Sequence, residues 1–232
     1  PPNSVKQIKE SDLKALSGKS TEMELIVDYG TNNTRVYLCA NTPIYSSANH
    51  IIGILGISID ITLQKERVEK ALNLAKTDVL TGLVNRLELD TNLAQEVQRC
   101  KRYQEPLSII LLDIDHFKIV NDHYGHLVGD RCLIHIAKIL GNHSRITDTV
   151  SRWGGEEFLV LCPQTNLKGA IELAETYHSL INKYLFPEVK QITASFGVTT
   201  YRSGDTIETF INRADQALYK AKSMGRDRIE VF

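Results

Sequence analysis

At 232 residues with 42% hydrophobic side chains, the chain can fill one large domain or two ordinary ones. A net charge of −1 and a pI near 6.8 exclude the basic footprint of a polynucleotide groove, yet leave room for a small anionic ligand held by a few local cations. The four cysteines, Cys39, Cys100, Cys132 and Cys162, form no CxxC pair, which argues against a zinc knuckle or disulfide scaffold and for a reducing compartment. The longest apolar run, residues 51–59, falls short of the roughly 20 residues that span a bilayer. No signal peptide is visible, and a chain that starts Pro1-Pro2 reads as a fragment.

The first third predicts antiparallel sheet. Glu24-Leu25-Ile26-Val27 and residues 34–40 read as strands around the turn-rich Asp28-Tyr29-Gly30-Thr31-Asn32-Asn33, and residues 51–59 form a further β-branched run. From Leu63 to Lys76 the sequence is charged and helix-forming, with Ile61, Val68 and Ala75 seven apart and Leu72 beside them. That spacing fits a short coiled coil or, since the seam contains Lys65, a solvated single helix. Either way this helix marks the boundary, giving a first part over 1–62, a connecting helix over 63–76 and a second part over 77–232.

In the second part, Leu89, Leu93 and Val97 place an apolar stripe on a helix. Residues 107–112 are then almost continuously apolar, the pattern of a central strand buried on both faces, and the run ends in Asp113. Asp115 is expected to cap a short helix over 117–124, and Asp130 is an N-cap candidate for the helix that follows the Gly125-to-Gly129 loop. Thr149-Val150 leads to Arg152-Trp153-Gly154-Gly155-Glu156-Glu157-Phe158, read as a hairpin with the two glycines in its tight turn and two acids at its mouth. Amphipathic helices over 167–181 and 207–224 alternate with strands over 192–199 and 228–232, and Gly225 is placed as a helix stop. The order αβααββαβαβ predicts an α+β fold, a mostly antiparallel sheet covered by helices.

An acid ending a buried strand and acids at a glycine hairpin converge if the two elements are neighbours. They then offer hard oxygen ligands suited to magnesium, with manganese in its place, and so to a nucleoside triphosphate. The same acids read equally well as a turn cap and solvated hairpin charges. His116, His123, His126 and His135 show no metal-ligand spacing.

The segment Asp113-Ile114-Asp115-His116-Phe117-Lys118-Ile119-Val120-Asn121-Asp122, the Gly125-His126…Gly129-Asp130 loop and Gly154-Gly155-Glu156-Glu157-Phe158 resemble the GGDEF family of diguanylate cyclases. Residues 81–86 and 217–226 match it as well. The resemblance runs from about Lys76 to Phe232 and implies a nucleotide-cyclase, palm-like fold acting as a homodimer on GTP to make cyclic di-GMP. It implies that Asp113, the Ile114 carbonyl and Glu156 hold the metal and that Asn121 and Asp130 pair with guanine. Lys222 and Arg226, four apart near a helix end, would grip the phosphates with Lys118 in support, although cations there also suit a helix C-terminus. Glu157 joins Glu156 in the catalytic motif, with the 3′-hydroxyl proton going either to it or to water. Arg145 and Asp148, with five residues between Asp148 and Gly154, match the family's RxxD product-inhibition site, although an Arg and Asp so spaced also form simple surface pairs. A non-catalytic receptor that binds cyclic di-GMP through Arg145 and Asp148 is the rival reading. Residues 53–62 resemble the last strand of a PAS sensor and its exit into a helix, which makes the first part an incomplete PAS-like sheet. The expected location is the bacterial cytoplasm, with no nucleic-acid polymer as partner, no membrane contact within this chain, and any membrane attachment carried by sequence ahead of it.

Overall fold

The computed structural model describes residues 2–30 and 33–232, so Pro1 and the expected turn positions Thr31 and Asn32 lie outside the described residues. Contacts divide the chain into two compact units, Pro1–Asn73 and Leu74–Phe232. The first unit contains helix α1 (Pro2–Leu16) and strands β1 (Thr21–Asp28), β2 (Thr34–Tyr45) and β3 (Ile51–Asp60), ordered β1-β2-β3 and antiparallel throughout. Helix α2 (Thr62–Lys76) contains the division between the units.

Helix α1 has no counterpart in the sequence reading, for a physical reason. Among its described residues the buried positions are Ser4, Ser11 and Ala15, while Val5, Leu13 and Leu16 are exposed, so these carry no apolar stripe to betray the helix. Hydrogen bonds hold it instead: Ser4 Oγ donates to the Ile26 carbonyl at 3.0 Å, and Asn41 Nδ2 donates to Asp12 Oδ1 at 2.8 Å. Strand β2 also runs on past the expected Ala40, through Pro43. The β1 pairing ends at Thr21–Asn41, so Pro43 lies where one side of the strand has no ladder to break.

The second unit runs α3 (Arg86–Tyr103), β4 (Leu107–Ile114), α4 (Phe117–Tyr124), α5 (His126–His143), β5 (Thr149–Gly154), β6 (Glu157–Pro163), α6 (Leu167–Lys183), β7 (Ala194–Thr200), α7 (Ile207–Ser223) and β8 (Ile229–Val231). This is the αβααββαβαβ order and mixed α+β class expected from the sequence. The sheet order is β5-β6-β4-β7-β8, antiparallel except for the parallel β7–β8 pair.

Every residue of β4 is buried, as the unbroken apolar run requires. Alternation sends Ile110, Leu112 and Ile114 into one core with residues of α4, α5 and α6, and Ile109 and Leu111 into another with Leu89 and Leu93 of α3 and Phe210 and Leu218 of α7. Asp113 shares the α3/α7 face by the same alternation. Helix α7 lies hard against the sheet at Gly197, where an added Cβ would sit 2.1 Å from the Ala214 carbonyl oxygen. Among the described residues, no helix is long and apolar enough to cross a membrane.

Helix α7 is also tied down by a charged pair. Arg213 donates through Nη1 and Nη2 to the two Asp205 oxygens at 2.6 and 2.7 Å, and both side chains are about 11% exposed. The hydrogen bond from Arg213 holds the Asp205 carboxyl below its ordinary pKa against the opposing effect of burial. A lowered carboxylate pKa stabilises the fold above the unfolded value near 3.9, and that contribution is lost as the pH falls through the folded value. We expect Asp205→Asn to destabilise the second unit by about 3 kcal/mol at pH 7, since it leaves a buried arginine unpaired. Urea unfolding followed by Trp153 fluorescence should show that gap at pH 7 and a narrowing one as the pH falls below the ordinary carboxylate range.

Candidate active site

The hairpin between β5 and β6 closes one residue later than the glycine pair suggests. Gly154 pairs with Glu157 as the last residue of β5, so the turn consists of Gly155 (φ 33°) and Glu156. The register shifts between Arg152 and Gly154, and that irregularity displaces the turn. Arg152 fixes it in place. Its guanidinium donates to the Gly155 carbonyl at 2.9 and 2.7 Å and to the two Asp78 oxygens at 3.3 and 3.2 Å. Nothing in the sequence marks this Arg152–Asp78 pair, because a contact 74 residues apart leaves no local pattern.

The turn meets the end of the central strand, where the Ile114 N–H lies 3.4 Å from the Glu156 carbonyl. Asp113 and Glu157 are register partners on β4 and β6, so their side chains share the α3/α7 face. Asp113 is 8% exposed, and Lys222 of α7 places Nζ 2.9 Å from its Oδ2. Burial pushes the Asp113 carboxyl up; Lys222 opposes that, and Glu156 and Asp115 add to it. Burial likewise raises Glu157, reinforced by the Asp113 charge. Two desolvated acids and a third on the turn thus share one ammonium, an excess of negative charge that a divalent cation would relieve. Among the described residues no group of three or more His, Cys, Asp or Glu side chains forms a complete cation cage. The Asp113 and Glu156 carboxylates, near enough for their charges to interact, are oxygen donors of the kind a hard cation takes alongside water or phosphate oxygens.

The remaining candidates lie on other elements, and Arg145 and Asp148 precede β5 at the end of that strand away from the hairpin turn. Asn121 on α4 is half-buried, with its Oδ1 against Gly129; a Cβ on Gly129 would clash with that amide, so the glycine lets α4 and α5 approach and sets Asn121 beside the turn of helix that carries Asp130. Asp130 does not cap α5, because the helix starts four residues earlier at His126 after Gly125. Lys118 is exposed in the first turn of α4. Arg226 does not share a helix face with Lys222: α7 ends at Ser223, and Arg226 lies beyond it at φ 64°. Arg145 is exposed, and its N–H donates to Asp148 Oδ2 at 2.8 Å, so the aspartate braces the turn into β5. The other oxygen, Asp148 Oδ1, is buried with no hydrogen-bond partner, and burial raises this carboxyl.

Asp115 does not cap α4 either. His116 holds the cap position without a side-chain bond, whereas Asp115 is 6% exposed and accepts from Thr193 Oγ1 and Ser195 Oγ, each at 2.7 Å. Those donors come from the entry to β7, almost eighty residues on, out of reach of any local capping rule.

Residues 75–228 match the family model described as diguanylate cyclase, GGDEF domain. Diguanylate cyclase DgcP of Pseudomonas aeruginosa is 46% identical over 160 residues, covering 68% of this chain and 24% of DgcP. A diguanylate cyclase of Vibrio cholerae is 37% identical over 201 residues, which are 85% of this chain and 63% of that one. This chain therefore spans less than two thirds of either curated relative. The structure of the coiled coil and GGDEF domain of DgcB from Caulobacter crescentus, in complex with c-di-GMP, is similar with a TM-score of 0.70 at 27% identity, over 74% of this chain and 93% of that one. The matched region takes in the hairpin, the acids and Lys222 together, and the chain belongs to the GGDEF family of diguanylate cyclase domains.

Proposed function

We propose that the chain condenses two GTP molecules into cyclic di-GMP and two pyrophosphates. The observation that carries this reading is the desolvated Asp113–Glu157 pair at the end of β4, with Lys222 2.9 Å from Asp113 and the Glu156 turn alongside. Catalysis belongs to residues 77–232; residues 1–62 act as a partial PAS-like sensor and 63–76 as its connecting helix.

Each domain holds one GTP. Asn121 and Asp130 read the guanine, the carboxylate accepting from ring donors and the amide pairing with a donor and an acceptor together. Lys222, Arg226 and Lys118 bind the triphosphate, and Asp113, the Ile114 carbonyl and Glu156 hold magnesium. When bound, that ion offsets phosphate charge and polarises the reacting phosphoryl group. With two loaded domains face to face, the 3′-oxygen of one GTP attacks the α-phosphorus of the other, the bond to pyrophosphate breaks, and the reciprocal attack closes the ring. Glu157, the register partner of Asp113, or a water molecule takes the 3′-hydroxyl proton. Product binding at Arg145, with Asp148 bracing its turn, supplies feedback.

Purified protein given GTP and magnesium should yield cyclic di-GMP, detected by chromatography, and Glu156→Gln should lower the rate at least about 100-fold. Binding of cyclic di-GMP with no turnover of GTP at any protein concentration would favour the receptor instead. Lys222→Ala should weaken GTP binding about ten-fold or more, the loss of one charge-assisted contact; titration calorimetry with magnesium present checks this.

A further inference from the structure

The chain leaves α7 through an unusual backbone. Gly225, Arg226 and Asp227 have φ values of 113°, 64° and 49°. Two adjacent residues with a Cβ are unfavourable in this region and stay there only where their surroundings hold them. Several groups do so here. The Arg226 N–H reaches the Ala221 carbonyl at 3.0 Å. The Asp227 N–H donates to Asp115 Oδ2 at 3.0 Å. Asp227 Oδ1 accepts from His178 Nε2 at 2.7 Å and Asn182 Nδ2 at 2.8 Å, both on α6. Asp115 takes its other donors from Thr193 and Ser195, so a buried carboxylate joins the end of β4, the start of β7 and the segment after α7.

None of Asp115, His178 and Asp227 has a part in the chemistry above, yet together they fix the backbone that carries the exposed Arg226. Had α7 continued, Arg226 would stand one turn beyond Lys222 on the same face. The left-handed turn redirects it. We propose that Asp115, Asp227 and His178 form a clamp that positions Arg226 for the GTP phosphates. They are positioning residues and touch no substrate. The inference rests on the reading of Arg226 as a phosphate ligand. Its physical basis is pre-organisation: a guanidinium binds phosphate through a planar fork, and a backbone already fixed loses less freedom when that fork engages.

The test is GTP affinity by calorimetry, together with turnover, for the full chain and for Asp227→Ala, Asp227→Asn, Arg226→Ala and the Asp227→Ala/Arg226→Ala double variant. Asp227→Ala should weaken GTP binding about ten-fold, roughly the worth of one or two positioned hydrogen bonds. Asp227→Asn keeps an oxygen for His178 and Asn182 and should recover most of the loss. In the Arg226→Ala background Asp227→Ala should cost nothing further, since contacts that act through one another are not additive. Unchanged GTP affinity in Asp227→Ala, or full additivity with Arg226→Ala, would overturn the clamp. So would a loss that follows a lowered melting temperature in Asp227→Asn as well as in Asp227→Ala. Failure of the parent chain to turn over GTP while these affinities behave as stated would overturn the enzyme reading and leave the clamp standing.

Discussion

Much of the second unit depends on one constraint, a carboxylate at the end of a strand that has no solvent on either face. Strand β4 lies in the middle of its sheet between β6 and β7 and is buried throughout, so Asp113 keeps only a small part of its surface in contact with water. Its charge has to be met by the protein or by a ligand. Lys222 partly meets it, and reaches it because α7 lies close on the sheet over Gly197. The carboxyl nevertheless remains above its ordinary pKa, with burial the largest cause and neighbouring acids adding to it. The protein alone thus leaves the site short of positive charge, a state suited to a cation and a phosphate that arrive together.

The scaffold around this site divides its work between layers. The face packed by α3 and α7 carries Asp113, Glu157 and Lys222, while the other core supports α4 and α5, where Gly129 lets Asn121 and the Asp130 turn approach. Polar ties set the loose ends. Arg152 joins the hairpin turn to Asp78, and Asp115 joins β4 to the segment after α7. These ties bind elements that meet only in the folded chain, and the one through Asp115 rests on a buried carboxylate, where an unmet hydrogen bond is costly.

The element order of the second unit was legible because its strands and helices follow their own periods. The uninterrupted apolar run of β4 announced a central strand, and stripes such as Leu89, Leu93 and Val97 announced helices. Asp113 and the glycine hairpin stood out at the junctions. What stayed hidden was either polar or remote. Helix α1 buries serines and an alanine, so its period carries no hydrophobic signal. Asp115 and Asp130 looked like helix caps because their true surroundings come from distant segments or from an earlier helix start. The one-residue offset of the hairpin turn and the left-handed exit at Arg226 are backbone choices that composition does not encode.

The central claim is that the buried acids at the end of β4 form a cation-dependent nucleotide site. The most direct measurement is the melting temperature of the protein, followed by Trp153 fluorescence, as magnesium and GTP are added separately and together. A ligand that binds only the folded state raises this temperature with concentration. The account predicts a rise of several degrees with magnesium and GTP together, little with either alone, and none for Asp113→Asn. An equal rise for Asp113→Asn, or a rise with GTP that ignores magnesium, would contradict it.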